Sequence, residues 1–229
     1  MQSTKKETYS LPIYETFYAF QGEGSHIGCA AYFIRTYGCP VKCDWCDSAN
    51  TWKSKVDSVN FKQVDVLLLA QKALASGTQI VVITGGEPTI NNLQPLTDAL
   101  HKVGLRVHLE TCGAYPIEGD FDWITLSPKW KALPLEVNIE RANELKIIVE
   151  NEHSINQWWD VIENYKTKSN SFSIPPIWLQ PEFNALSVNQ QLLNVITTAV
   201  KLYPHRYRAG VQLHKIYQCD DLDLESIKE

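Results

Sequence analysis

The tightest constraint on this chain is Cys39-Pro-Val-Lys-Cys43-Asp-Trp-Cys46, three cysteines spaced C-x-x-x-C-x-x-C with no fourth nearby. A helix would bring positions 39, 43 and 46 to one face, where cysteine serves as a small buried hydrophobe. Gly38, Pro40, Asp44 and Asp47 make the stretch a loop instead. Three thiolates hold three irons of a four-iron, four-sulfur cluster and leave the fourth iron to a small molecule. Clusters that only transfer electrons normally take four protein ligands, so a set of three points to chemistry at the cluster. Zinc is the competing occupant. A structural zinc site usually shows a second ligand pair, and the sequence has neither another C-x-x-C nor an H-x-x-x-H. Cys29, Cys112 and Cys219 stand singly.

The chain has 229 residues, 44% hydrophobic and 21% charged, enough for one domain with a sizeable core. A single domain is expected over residues 1–229, with 1–12 a flexible N-terminus and 216–229 a C-terminal tail. A net charge of −5 offers no basic face for nucleic acid. Six cysteines, three of them clustered, favour metal ligation in a reducing compartment over a disulfide framework. No apolar run is long enough to span a bilayer. The opening MQSTKKETYS lacks the apolar stretch of a signal peptide. A cytoplasmic protein with no membrane contact is expected.

Strands are expected at 31–36, 79–84, 106–111, 123–128, 144–149 and 177–181, with a last short one at 210–214. Helical periodicity runs through 62–76, Leu93 to Val103, Ile155 to Ile162 and Leu192 to Ala199. Strands alternating with helices imply an α/β fold of parallel β-α units. About six strands are too few for an eight-stranded barrel. They fit a partial, open β/α barrel, with a doubly wound sheet as the alternative. The motifs collect at strand C-terminal ends, the rim where parallel β-α folds bind ligands. The cysteine loop follows the first strand. Thr84-Gly85-Gly86-Glu87-Pro88 follows the second, Glu110-Thr111-Cys112-Gly113 ends the third, Ser127-Pro128-Lys129 the fourth, and Gln180-Pro181 a later one. Two glycines let backbone approach a ligand closely. The turn's carbonyls and Glu87 are then placed to receive an ammonium group. Alone, the same turn reads as a plain strand-to-helix connection with Pro88 at its start.

The cysteine loop and the Gly-Gly-Glu-Pro turn together resemble the radical S-adenosylmethionine (SAM) superfamily. The resemblance implies that SAM chelates the open iron through its amino-acid end. One electron then splits it, and the 5′-deoxyadenosyl radical takes a substrate hydrogen. The protein supplies aim and dryness. Phe20-Gln21-Gly22-Glu23-Gly24, Arg35, Asp47-Ser48 and Gln212-Leu213-His214-Lys215 narrow the resemblance to the 7-carboxy-7-deazaguanine synthase family of queuosine and deazapurine biosynthesis. That match runs from about residue 13 to 215 in the family's order and spacing.

On this resemblance Cys39, Cys43 and Cys46 hold the cluster. Trp45, Asp47, Gly85, Gly86, Glu87, Ser127, Pro128, Lys129 and Gln180 line SAM. Phe20, Gln21, Gly22, Glu23, Arg35, Thr84 and His214 contact the substrate, 6-carboxy-5,6,7,8-tetrahydropterin. Ser48 stands where the family places a hydroxyl on Mg²⁺. A lone neutral oxygen is a poor magnesium site unless the substrate adds its own oxygens, with Asp47 ordering the waters. Gln21 and Glu23 suit a pterin edge of donors and acceptors, and the Arg35 fork suits a carboxylate. Read singly, Arg35 is a strand residue reaching solvent and His214 a core histidine. Cys112 stands where the family more usually has Asn or Ser. The resemblance further implies a radical SAM carbon–nitrogen lyase acting as a homodimer, with an electron donor such as flavodoxin or ferredoxin. The rival readings are a glycyl-radical-enzyme activase with a protein partner, which leaves Phe20 to Gly24 without a purpose, and a non-catalytic zinc-binding module.

Overall fold

Alternation along the strands decides the architecture. In ELKIIV (144–149) Leu145, Ile147 and Val149 are buried on one face, while Glu144 and Lys146 are buried on the other. RVHLET (106–111) repeats this, with Val107 and Leu109 opposite His108 and Glu110. A parallel sheet covered by helices on both faces reads as nearly continuous apolar runs. Charges on alternate positions require a sheet whose second face encloses something polar.

The computed structural model describes residues 9–52, 61–168, 173–184 and 187–217. In chain order these form β1 (Ser10–Phe20), β2 (Ala30–Thr36), β3 (Lys62–Asp65), α1 (Val66–Ala75), β4 (Ile80–Gly85), α2 (Gln94–Lys102), β5 (Arg106–Thr111), β6 (Trp123–Leu126) and α3 (Glu136–Arg141). Then follow β7 (Glu144–Val149), α4 (Ser154–Lys168), β8 (Ile177–Pro181), β9 (Phe183–Asn184), β10 (Ser187–Val188), α5 (Gln190–Leu202), β11 (Tyr207–Ala209) and α6 (Leu213–Tyr217). Nine strands make one sheet in the order β11-β8-β7-β6-β5-β4-β2-β1-β3. Neighbours from β2 to β11 are parallel, and β1 runs antiparallel to β2 and β3. The sheet ends at β11 and β3 without closing on itself, so the open-barrel expectation holds.

Helices cover the convex face. Leu69 and Ala73 of α1 and Leu96 and Leu100 of α2 pack on Ile34, Val81, Ile83 and Leu109. Ile155, Trp158 and Ile162 of α4 and Leu192 and Ile196 of α5 pack on Leu145, Ile147, Ile177 and Leu179.

Three expectations are corrected. Ser10, Leu11 and Pro12, placed in a flexible terminus, pair with Asp65, Val64 and Gln63, and Leu11 is buried. Residues 62–76 are not one helix: Lys62–Asp65 is β3, and the Asp65 carboxylate caps α1 by accepting from the Leu67 and Leu68 amides. Residues 210–214 are not a strand. The seventh parallel strand, β11, ends at Ala209, and the Leu213 amide donates to the Gly22 carbonyl at 2.9 Å, opening α6. Residues 1–8 and 218–229, with Cys219, lie outside the described residues.

A bulge in β1 between Ile13 and Glu15 shifts its register against β2. Such a bulge re-aims the side chains beyond it. Leu11 and Ile13 join the helix-side core, whereas Glu15, Phe17 and Ala19 line the cavity on the concave face.

Candidate active site

The cysteine loop leaves the C-terminal end of β2 and is tied at its base, where the Gly38 amide donates to the Thr51 carbonyl at 2.8 Å. Lys42 turns it with φ near +50°, a left-handed conformation that breaks any helical run through the cysteines. The Lys131 ammonium donates to the Lys42 carbonyl (3.1 Å) and to Asp44 (2.9 Å), fastening the loop from the segment after β6. The Trp52 indole donates to Cys46 Sγ at 3.5 Å.

The Gly-Gly-Glu-Pro turn packs on the root of this loop. The Gly86 amide donates to the Thr36 carbonyl (3.1 Å), and the Glu87 amide to the Gly38 carbonyl (2.8 Å). A Cβ on Gly85, whose φ is +136°, would collide with Thr36 backbone; one on Gly86 would collide with the Gly38 carbonyl. Both glycines therefore serve contact between turn and loop, where the sequence pointed to room for a ligand. Glu87, only 2% exposed, is equally committed. Its carboxylate accepts from the Thr89 amide (3.2 Å), the Thr89 hydroxyl (2.7 Å), the Thr111 hydroxyl (2.5 Å) and the Cys112 amide (2.8 Å). Glu87 thus acts as a bracket for the turn.

Loop and turn open on a cavity of about 470 Å³ within the concave face, inside the usual range of roughly 300–1,000 Å³ for small-molecule sites. Every site residue named from the sequence lines it except Pro128, which is buried behind Ser127 and Lys129. At its interior stands Lys146, 8% exposed, in an ion pair with Glu23 and 3.7 Å from Glu110. Gln180 donates to Glu23 at 2.8 Å, and Gln21 to Glu110 at 2.8 Å. Burial opposes the Glu23 carboxylate, but Lys146, with His214 and Gln180, holds Glu23 below the usual carboxylate range. Burial likewise opposes the Lys146 ammonium, and Glu110 and Glu23 together raise it above the ordinary lysine value. Lys129, over the Trp45 ring at 5.2 Å, donates to Ser127 through both its carbonyl (2.8 Å) and hydroxyl (2.6 Å). Burial and repulsion from Lys146 lower it.

The connection from β1 to β2 crosses the cavity's lower end. Glu144 accepts from the Ser25 amide (2.9 Å), the Thr125 hydroxyl (2.7 Å) and the Trp178 indole (2.9 Å). A Cβ on Gly24 would strike that carboxylate, and one on Gly22 would strike the His214 ring. The segments Phe20–Gly24 and Gln212–Lys215, distant in sequence, therefore meet.

A model of the radical SAM superfamily matches residues 33–181. The 7-carboxy-7-deazaguanine synthase of Synechocystis sp. is 41% identical over 208 residues, covering 91% of this chain and 93% of that relative. That of Flavobacterium psychrophilum is 38% identical over 205 residues, 90% of each. The chain belongs to the 7-carboxy-7-deazaguanine synthase family of radical SAM proteins. The crystal structure of QueE from Escherichia coli has the same architecture, with a TM-score of 0.76 at 30% identity over 90% of this chain and 95% of that one.

For the family's cluster the donor set fits. Three thiols of one loop line the cavity, and Lys129 and Lys131 favour the Cys43 thiolate against a burial that raises its pKa. Cys112 lines the same cavity, where burial and the adjacent Glu87 carboxylate push its thiol pKa up. Among the described residues no three His, Cys, Asp or Glu side chains converge on a single-ion site. At Ser48 the hydroxyl donates to Asp47 (2.9 Å), whose other oxygen accepts from Gln212 (3.2 Å). Mg²⁺ there would need substrate oxygens and water to complete an octahedron.

Two of the sequence-named residues have partners within the protein. Gln180, grouped with SAM on the resemblance, donates to Glu23, grouped with the substrate. Arg35 is neither free nor snorkelling: Glu15, its cross-strand partner, accepts from its Nε at 2.7 Å. Lys146 escaped the sequence reading, Glu110 was named only within a rim motif and given no role, and Glu144, which holds the β1–β2 connection, was not singled out. Their signal was charge on alternate positions of otherwise apolar strands.

Proposed function

We propose that the cavity binds 6-carboxy-5,6,7,8-tetrahydropterin beside SAM and a four-iron, four-sulfur cluster, and converts it to 7-carboxy-7-deazaguanine with loss of ammonia. The observation that carries this is convergence. The cysteine loop, the Gly-Gly-Glu-Pro turn and the Phe20–Gly24 segment come from separate parts of the chain and open on one cavity. A glycyl-radical-enzyme activase would have no use for the third.

When bound, the cluster and SAM supply the one-electron chemistry that removes a substrate hydrogen. The chain's residues hold and aim. Cys39, Cys43 and Cys46 ligate iron. The backbone of Gly85 and Gly86 receives the SAM ammonium, with Ser127 and Lys129 beside its carboxylate end. Glu15 fixes Arg35 through Nε, leaving the two terminal NH₂ groups for the substrate carboxylate. Glu23 and Glu110 present acceptors to the pterin's amino-pyrimidinone edge. Ser48 joins that carboxylate on Mg²⁺. His214, seated against Gly22, and Thr84, 3.5 Å from Glu110, complete the wall. A homodimer reduced by a flavodoxin or ferredoxin belongs to the same reading. The free thiols of Cys29, Cys39, Cys43, Cys46 and Cys112 favour a cytoplasmic setting.

The test is anaerobic turnover with reductant, SAM, Mg²⁺ and carboxytetrahydropterin, with no protein substrate. 7-Carboxy-7-deazaguanine is the expected product. Cluster-loaded protein that cleaves SAM yet makes none would overturn the reading.

A further inference from the structure

Lys146 stands between two carboxylates of the cavity. It lies on the concave face of β7, paired with Glu23 from the β1–β2 connection and 3.7 Å from Glu110 of β5. Each carboxylate has one oxygen held by a glutamine amide: Gln180 on Glu23 Oε1, and Gln21 on Glu110 Oε1. The other oxygen of each faces the ammonium. Of the other basic residues lining the cavity, Arg35 is engaged with Glu15 and Lys129 with Ser127, Lys215 acts on Asp47, and His214 adds to the field at Glu23.

Two ionised carboxylates in one buried pocket repel, and one of them ordinarily takes a proton. A protonated carboxyl is a donor as well as an acceptor. It would present the wrong pattern to an edge of N–H groups. A cation lodged between them removes the repulsion and keeps both as acceptors. We infer that Lys146 is a positioning residue for substrate selection: it holds Glu23 and Glu110 together as paired acceptors, so that the cavity prefers a 2-amino-4-oxopyrimidine edge over a 2-oxo edge. Lys146 reaches the substrate through these carboxylates. The inference rests on the pterin reading of the cavity.

The experiment is equilibrium binding, by anaerobic calorimetry, of 6-carboxy-5,6,7,8-tetrahydropterin and its 2-oxo analogue. A site built around hydrogen bonds rejects an analogue that leaves them unmade, and the wild-type protein should prefer the pterin by about tenfold or more. Lys146→Arg keeps the charge and should keep most of that preference. Lys146→Met should bring the two ligands to within about twofold of each other. A folded Lys146→Met protein that retains the full preference overturns the proposal; a residue needed only for stability would leave the ratio unmoved. If Lys146→Met does not fold, Glu110→Gln, which keeps the Lys146–Glu23 pair, should reduce the preference, and an unchanged ratio again overturns it. Wild-type protein that binds neither ligand would instead sink the pterin reading itself.

Discussion

Glu87 carries more of the site than its place in a turn motif suggests. Four donors from three residues end on its carboxylate, and it is almost wholly buried. Glu87→Gln keeps the shape but sets an NH₂ against a donor, which strands at least one buried group at a cost of about 1–3 kcal/mol. The expected result is a lower thermal midpoint together with weaker SAM binding, measured by calorimetry at matched cluster loading. An unshifted midpoint would show that the bracket is dispensable. Cys43→Ala should lose both iron and the reductive cleavage of SAM to 5′-deoxyadenosine. Ser48→Ala should keep the iron and lose much of the Mg²⁺ stimulation of turnover, and an unchanged Mg²⁺ response removes Ser48 from the site. At this scale the sequence identified which residues mattered but not always what they touch. The Gly-Gly-Glu-Pro motif announces a ligand turn; only the fold reveals that its glycines abut Thr36 and Gly38 and that its glutamate is internally satisfied.

Elements meet where small residues allow it. Gly86 lets the β4 turn lie on the cysteine loop, and Gly86→Ala should push the two apart, so that iron incorporation and SAM binding fall together. Loss of neither would mean that the loop adjusts freely. At the β1–β2 connection, His108 of β5 and His26 lie in edge contact at 4.5 Å, with Trp123 against His26 at the same distance. Burial first, then the neighbouring His26 and Arg106, lower His108 to about 4. An unfolded histidine titrates near 6.5, so between those values the unfolded chain takes up a proton that the folded one refuses. Folding stability should therefore fall as pH drops from about 6.5 toward 4, by on the order of 3 kcal/mol from this one group. Below that window the loss levels off. His108→Phe should flatten this part of the denaturation-versus-pH curve; an identical slope would place its origin elsewhere. The helices and parallel strands were readable because their apolar period is regular. β1 was not, since its bulge switches the buried face midway and hides the alternation. β3 was absorbed into the helix it precedes because Asp65 both ends the strand and caps α1.

At the scale of the whole molecule, the sheet is asymmetric in chemistry as well as shape. Its convex face is apolar and covered by helices; its concave face holds Arg35, Glu110, Glu144 and Lys146. That division was legible in the charged positions of β5 and β7, once those strands are known to share one sheet. The way these charges pair depends on register between strands distant in sequence, which no local pattern encodes. The proposed reaction requires that a hydrogen of the carboxypterin leaves and returns within this cavity. The most direct measurement follows deuterium at C6 of carboxytetrahydropterin during anaerobic turnover. The proposed reaction predicts deuterium at the 5′ carbon of 5′-deoxyadenosine and of recovered SAM. Deazaguanine formed with no label passing through 5′-deoxyadenosine would contradict it.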